Sequence, residues 1–245
     1  QYDIYENQLN LPSVKVTNNL YNSQSLKTPI DREHAMLKGA IVDSNGKDFN
    51  SQSKNLLKHA RITTKNIKSK GNNQLEVKNN MGTVNIHIPK KIRKQYQDFY
   101  ITLYIKRGNP DSNYTVNVNN YFNNRLYNNS VYKTGINTQL YRTQPDKNGN
   151  ISIKLSPNGG FKFKLLNLSG ENYKTLKTAH HNANFNMDYN DIKNGVKVNL
   201  GQHSKGLATI NIPYRAGMRA YIDGRQVNIH KVNYMMTGVP VNKND

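Results

Sequence analysis

Two arginines toward the C-terminal end, Arg215 and Arg225, carry the clearest binding chemistry in the chain, because a guanidinium pairs bidentately with phosphate. They flank the stretch between Tyr214 and the Asp223-Gly224 turn signal, and Tyr234 follows shortly after. Tyr214, Arg215, Arg225 and Tyr234 are therefore the candidate contacts to an anionic polymer. The plainer alternative for the same residues is a solvated hairpin edge and turn packing, since Pro-Tyr and Asp-Gly are turn chemistry first.

Catalytic chemistry is sparse. No Gly-x-Ser-x-Gly presents a serine nucleophile and no glycine-rich loop cradles phosphate. The adjacent His180 and His181 would point to opposite faces of a strand, or sit ~100° apart on a helix, so exposed histidines are expected rather than one metal site. Two stretches, Asp43-Ser-Asn-Gly-Lys-Asp48 and Asp146-Lys-Asn-Gly-Asn150, resemble calcium loops. The first lacks ligands further on, and the second has Ile151 where glycine is needed and Pro157 in place of the bidentate Glu. Ordinary Asn-Gly turns explain both. A carboxylate pair for glycoside hydrolysis would have to come from only 15 acidic residues, and the sequence does not bring two together. No catalytic residue, metal site or cofactor is expected within this chain.

Tyrosine outnumbers phenylalanine 16 to 6. Tyr121, Tyr127, Tyr132 and Tyr141, interleaved with Asn and Lys, could offer ring faces and hydrogen bonds to a glycan. Alternatively they fill half-buried strand positions that Phe or Trp would otherwise take.

The elements that must position these residues read mostly as strands. Leu207-Ala-Thr-Ile-Asn-Ile212 alternates with period two and stops at Pro213, and Asp223-Gly224 predicts a hairpin. Residues 84–88, 99–105, 114–118, 151–155, 161–165 and 196–200 repeat the pattern, with Ser156-Pro-Asn-Gly-Gly160 as a turn. Many short alternating runs with Asn, Gly and Pro between them predict a mainly β fold, a jelly-roll-like β-sandwich with a few short helices. Residues 1–194 are assigned to the sandwich region with an N-terminal helical segment, and 195–245 to a smaller C-terminal β unit, separate or packed as one domain with the rest. Thr28 caps a helix with Pro29 first and Asp31 third, stopping at Gly39. Further helices are expected near 53–61 and from Glu171 through Leu176, and a loop tip over 139–150.

Lys and Arg total 35 against 15 Asp and Glu, a net charge of +20. That implies an anionic partner or neighbourhood: nucleic acid, anionic lipid headgroups, or phosphate-bearing polymers. The alternative origin is codon usage in an AT-rich genome, given the abundance of Asn, Lys, Ile and Tyr. Nucleic acid is set aside because the basic residues are scattered and no recognition motif occurs. Hydrophobic content is 35%, so the core must be economical. The absence of cysteine excludes disulfides, thiolate-bound zinc and thiol catalysis. No signal peptide is present and no run approaches the ~18 apolar residues of a membrane helix. The chain starts at Gln1 without a methionine and is read as a piece cut from between two membrane spans, with Gln1 and Asp245 expected on one side.

Three motifs in order, Leu207-x-x-x-x-x-Pro213-Tyr-x-x-Gly217, Asp223-Gly-Arg225 and Val232-Asn-Tyr-x-x-Thr-Gly-Val-Pro240, resemble the extracytoplasmic C-terminal region of the YfhO-like bacterial membrane proteins. Upstream, Tyr2-Asp-Ile-Tyr-Glu-Asn-Gln-Leu-Asn-Leu-Pro12 resembles the start of that region, and 28–39 the short helix after it. Met218 stands where the family usually has Trp. The resemblance implies a polytopic glycosyltransferase of Gram-positive cells that moves sugar from a lipid-phosphate carrier to lipoteichoic acid. On that implication the chain lies at the extracytoplasmic face, held by transmembrane segments outside it. It would itself be non-catalytic, binding or positioning lipoteichoic acid or another anionic cell-surface polymer, against an anionic membrane surface. The rival from another class is a freestanding adhesin or carbohydrate-binding module.

Overall fold

The computed structural model describes residues 6–109, 111–125, 136–243 and 245. Strands hold 48% of the described residues and helices 12%, so the mainly β expectation holds. By its internal contacts the chain divides into two units, residues 53–172 and residues 1–52 with 173–245. The described helices are α1 (Pro29–Lys38), α2 (Lys90–Arg93) and α3 (Lys174–His181).

The 53–172 unit follows from alternation. Ile151, Ile153 and Leu155 are buried while Ser152 and Lys154 between them face outward. Among the described residues the unit has two five-stranded sheets. One runs Tyr121–Arg125, Tyr114–Val118, Asn150–Ser156, Gly82–His87, Arg61–Lys65 in spatial order. The other runs Thr138–Thr143, Asp98–Arg107, Gly159–Glu171, Gln74–Val77, Ile67–Gly71, and all pairings are antiparallel. Val84, Ile86, Val116 and Ile153 from the first sheet share one core with Phe99, Ile101, Leu103 and Leu168 from the second. Each such side chain contributes about 1.5–3 kcal/mol by leaving water. From Gln74–Val77 onward the chain swaps sheets at every connection except the hairpin joining Tyr114–Val118 to Tyr121–Arg125.

The other unit is built on the sheet Val14–Thr17, Gly206–Pro213, Met236–Val241, His230–Val232. Gly206–Pro213 is a central strand, as its pattern predicts, with Ile210 buried and Ile212 half-buried. Because Val14–Thr17 pairs along it, the N-terminal segment shares a sheet with the C-terminal one, and the expected boundary between 194 and 195 falls inside this unit. α1 has the expected cap: the Asp31 amide donates to the Thr28 hydroxyl (3.1 Å) and the Thr28 amide to the Asp31 carboxylate (3.1 Å). It ends at Gly39, where a Cβ would lie 2.0 Å from the Asn19 carbonyl oxygen, so the following parallel pairing of Leu20–Asn22 with Ala40–Val42 admits only glycine.

Three local expectations change. The helix near 53–61 shrinks to a 3₁₀ turn at Leu57–His59, because the Leu56 amide is drawn to the Leu168 carbonyl (2.7 Å) and its side chain into the core. The helix expected from Glu171 starts at Lys174, since Glu171 is still a strand residue opposite Asp98. Residues 138–143 form an edge strand rather than a loop tip. Its inward residues Gln139, Tyr141 and Thr143 are polar, so no apolar alternation marks it. Among the described residues no helix is long and apolar enough to cross a membrane.

Candidate functional site

Pro213 stands opposite Met236, so the chain leaves and rejoins this strand pair at one end of the sheet. There the Tyr214 amide donates to the Met235 carbonyl (2.7 Å). The turn before it has two successive left-handed residues, Asn233 (φ 49°) and Tyr234 (φ 69°). That geometry suits a tight hairpin but costs a bulky residue about 1–2 kcal/mol. Asn233 anchors it: its amide donates to the Ile41 carbonyl (2.9 Å), and the Ile41 amide donates to its Oδ1 (2.8 Å). The Arg32 guanidinium of α1 lies over the Tyr234 ring, 6.0 Å from its centroid.

The structure thus brings Tyr214 and Tyr234 to neighbouring turns. Arg215 follows directly in a turn closed by the Met218 amide donating to the Arg215 carbonyl (3.3 Å). Arg225 instead stands opposite Ile222 on the hairpin of Ala220–Ile222 and Arg225–Val227.

Tyr234 and Met235 also wall a cleft of about 1280 Å³ within this unit. Its other walls are the strand Val14–Thr17, the last turn of α1, the face of α3 and Asn211 on the central strand. Lys15, Lys38 and Lys174 line it with Asn19, Asn182, Asn184, Asn211 and Asn233; among the described residues no Asp or Glu does. Lys15 is the most deeply set. Its Nζ donates to the carbonyls of Met36 (2.6 Å) and Gly39 (2.7 Å) at the end of α1. Burial lowers its pKa to about 8, while the helix-end carbonyls favour the charged form. An ammonium has three donors, so a third remains beyond those two carbonyls. Chemically the cleft can hold an anion and hydrogen-bond hydroxyl groups around it.

The other sequence candidates resolve as follows. His180 and His181 end α3: His180 Nδ1 lies 2.7 Å from the Asn10 carbonyl, its ring packs edge-on against Phe185, and His181 is exposed. Among the described residues no group of three or more His, Cys, Asp or Glu could hold a metal. Asp146 accepts the amides of Asn148 (2.9 Å) and Asn150 (2.8 Å), and these backbone bonds hold its carboxyl below the usual range, as in an Asx turn. Asp43 accepts the Ser23 hydroxyl (3.2 Å). The tyrosine row does not form one glycan face: Tyr121 is 53% exposed, whereas Tyr141 is buried in the core with its hydroxyl donating to Gln139. Tyr127 and Tyr132 lie outside the described residues.

Lys15, Arg32, Lys38 and Lys174 were not singled out from sequence. The only local signal was a lysine between two valines, Val14 and Val16, and nothing in that triplet points to residues 36 and 39.

A sequence profile of the family described as "Bacterial membrane protein YfhO" matches residues 1–245. A relative from Bacillus subtilis (strain 168), described as uncharacterized protein YfhO, is 34% identical over 250 residues. That alignment covers 100% of this chain, which spans 29% of the relative's length. A solved structure titled "Crystal structure of HCR/D-Sa-GBL1/C" superposes with a TM-score of 0.24 and 12% identity over 69% of each chain, too slight a likeness to bear on the fold.

Proposed function

Since the chain belongs to the YfhO family of bacterial membrane proteins, we propose that it is the extracytoplasmic part of a polytopic glycosyltransferase that moves sugar from a lipid-phosphate carrier to lipoteichoic acid. Its own task is to hold the anionic acceptor, while the reacting bond sits in membrane-embedded parts of the whole protein. One observation carries this reading: the cleft lined by three lysines and five asparagines, with no carboxylate among the described lining residues. A glycerol-phosphate polymer presents that complement, an anionic diester alternating with hydrogen-bonding polyol. The lysines supply point charges to the phosphates, and asparagine side chains hydrogen-bond hydroxyls, Asn184 and Asn233 through Nδ2 because their Oδ1 atoms already accept backbone amides.

Titrating the purified chain with lipoteichoic acid tests it. Binding should weaken between low and physiological salt, because exposed charges are screened over ~8 Å there. Lys38→Gln with Lys174→Gln should lower affinity at least several-fold, and unchanged binding would remove the cleft from the account. Incubated with a lipid-linked sugar and lipoteichoic acid, the chain alone should transfer nothing; measurable transfer would overturn its non-catalytic role.

A further inference from the structure

The two turns at the sheet end carry a surface that an anion in the cleft would leave unused. Tyr214, Met218, Tyr234 and Met235 are 37%, 37%, 43% and 57% exposed. A single exposed apolar side chain needs no explanation, but four are gathered on two turns that a hydrogen bond joins at one end of the sheet. Arg215 and Arg219 stand exposed on the first turn, and Arg32 lies over the Tyr234 ring of the second. Residues 214–219 and 233–235 contain no Asp or Glu.

Apolar and aromatic side chains rimmed by guanidinium groups match the boundary of a lipid bilayer. Rings and thioethers gain by entering the headgroup region while arginines pair with lipid phosphates. A soluble polyanion would satisfy the arginines and leave the four apolar side chains in water. We propose that this two-turn patch docks on an anionic bilayer and thereby sets the mouth of the cleft, which shares Tyr234 and Met235 with it, at the membrane surface. Docking does not depend on what the cleft binds.

The chain has no tryptophan, so Met235→Trp gives one emission signal from the patch and Tyr121→Trp one from an exposed strand of the other unit. With vesicles of phosphatidylglycerol and phosphatidylcholine, Met235→Trp should shift to the blue and be quenched by brominated lipid, while Tyr121→Trp should not respond. Pure phosphatidylcholine should give a much weaker shift. Replacing Arg32, Arg215 and Arg219 by Gln should lower vesicle partition on the order of 100-fold, at about fivefold for each basic residue held at an anionic surface. Met218→Gln with Tyr214→Gln should weaken it as well. The proposal is overturned if the patch tryptophan stays water-exposed in the presence of anionic vesicles, if brominated lipid fails to quench it, or if Tyr121→Trp responds equally. Lys38→Gln with Lys174→Gln should leave vesicle binding intact, so failure of the cleft reading and failure of this one are separable.

Discussion

Replacing Lys15 with Met probes how the cleft floor is built. In the folded chain its ammonium is buried and bonded to two carbonyls at the end of α1. Lowering its pKa from 10.5 to about 8 corresponds to about 3 kcal/mol of cost for the charged form at neutral pH. Two hydrogen bonds from a charged donor return about 1.5–3 kcal/mol each. The balance makes Lys15→Met destabilising by between about 0 and 3 kcal/mol at pH 7. The pH dependence has a definite sign. Below about pH 8 the group is charged in both states and the burial cost is present in full; between about 8 and 10.5 only the unfolded chain holds the proton, so stability rises with pH. The gap between wild type and Lys15→Met should therefore widen from pH 7 to pH 10, by up to about 3 kcal/mol. Urea unfolding of both proteins at several pH values measures it, following the transition of the 1–52 and 173–245 unit. Lysine side-chain NMR should show one ammonium titrating near pH 8. A gap that stays constant or narrows with pH would refute the assignment.

Gly39→Ala should destabilise the same unit by about 1–3 kcal/mol or more, because the new Cβ would meet the Asn19 carbonyl at 2.0 Å; a lower thermal midpoint with unchanged unfolding of the 53–172 unit reports it. Thr28→Ala removes the acceptor of the Asp31 amide and should cost about 1 kcal/mol in denaturant unfolding. In the other unit Arg142→Met strips the mostly buried Asp98 of a 2.9 Å ion pair, with an expected loss of about 1–3 kcal/mol after allowance for the partial exposure of the arginine; calorimetry should place that loss in the 53–172 unit.

What could be read along the chain was whatever depends on neighbours in sequence. Period-two runs such as 114–118 and 151–155 became strands at those positions, because alternate side chains on a strand must face opposite ways. Thr28, Pro29 and Asp31 announced α1 because a capping box closes within four residues. The membrane-protein family was legible from short motifs, since turn residues such as Asp223-Gly224 are constrained by local backbone geometry. Tertiary structure decided what depends on distant partners. Residues 138–143 became a strand through a neighbour at Phe99–Tyr104, although their inward side chains are polar. Residues 53–61 lost a helix to long-range hydrogen bonds that tie Asn55 and Leu56 to Leu166 and Leu168. Tyr214 reached Tyr234 because Gly206–Pro213 pairs with Met236–Val241, and Lys15 reached the end of α1 through carbonyls 21 and 24 residues further along the chain. The cleft exists for the same reason: its lysines come from residues 15, 38 and 174, and no local pattern encodes a meeting across that separation.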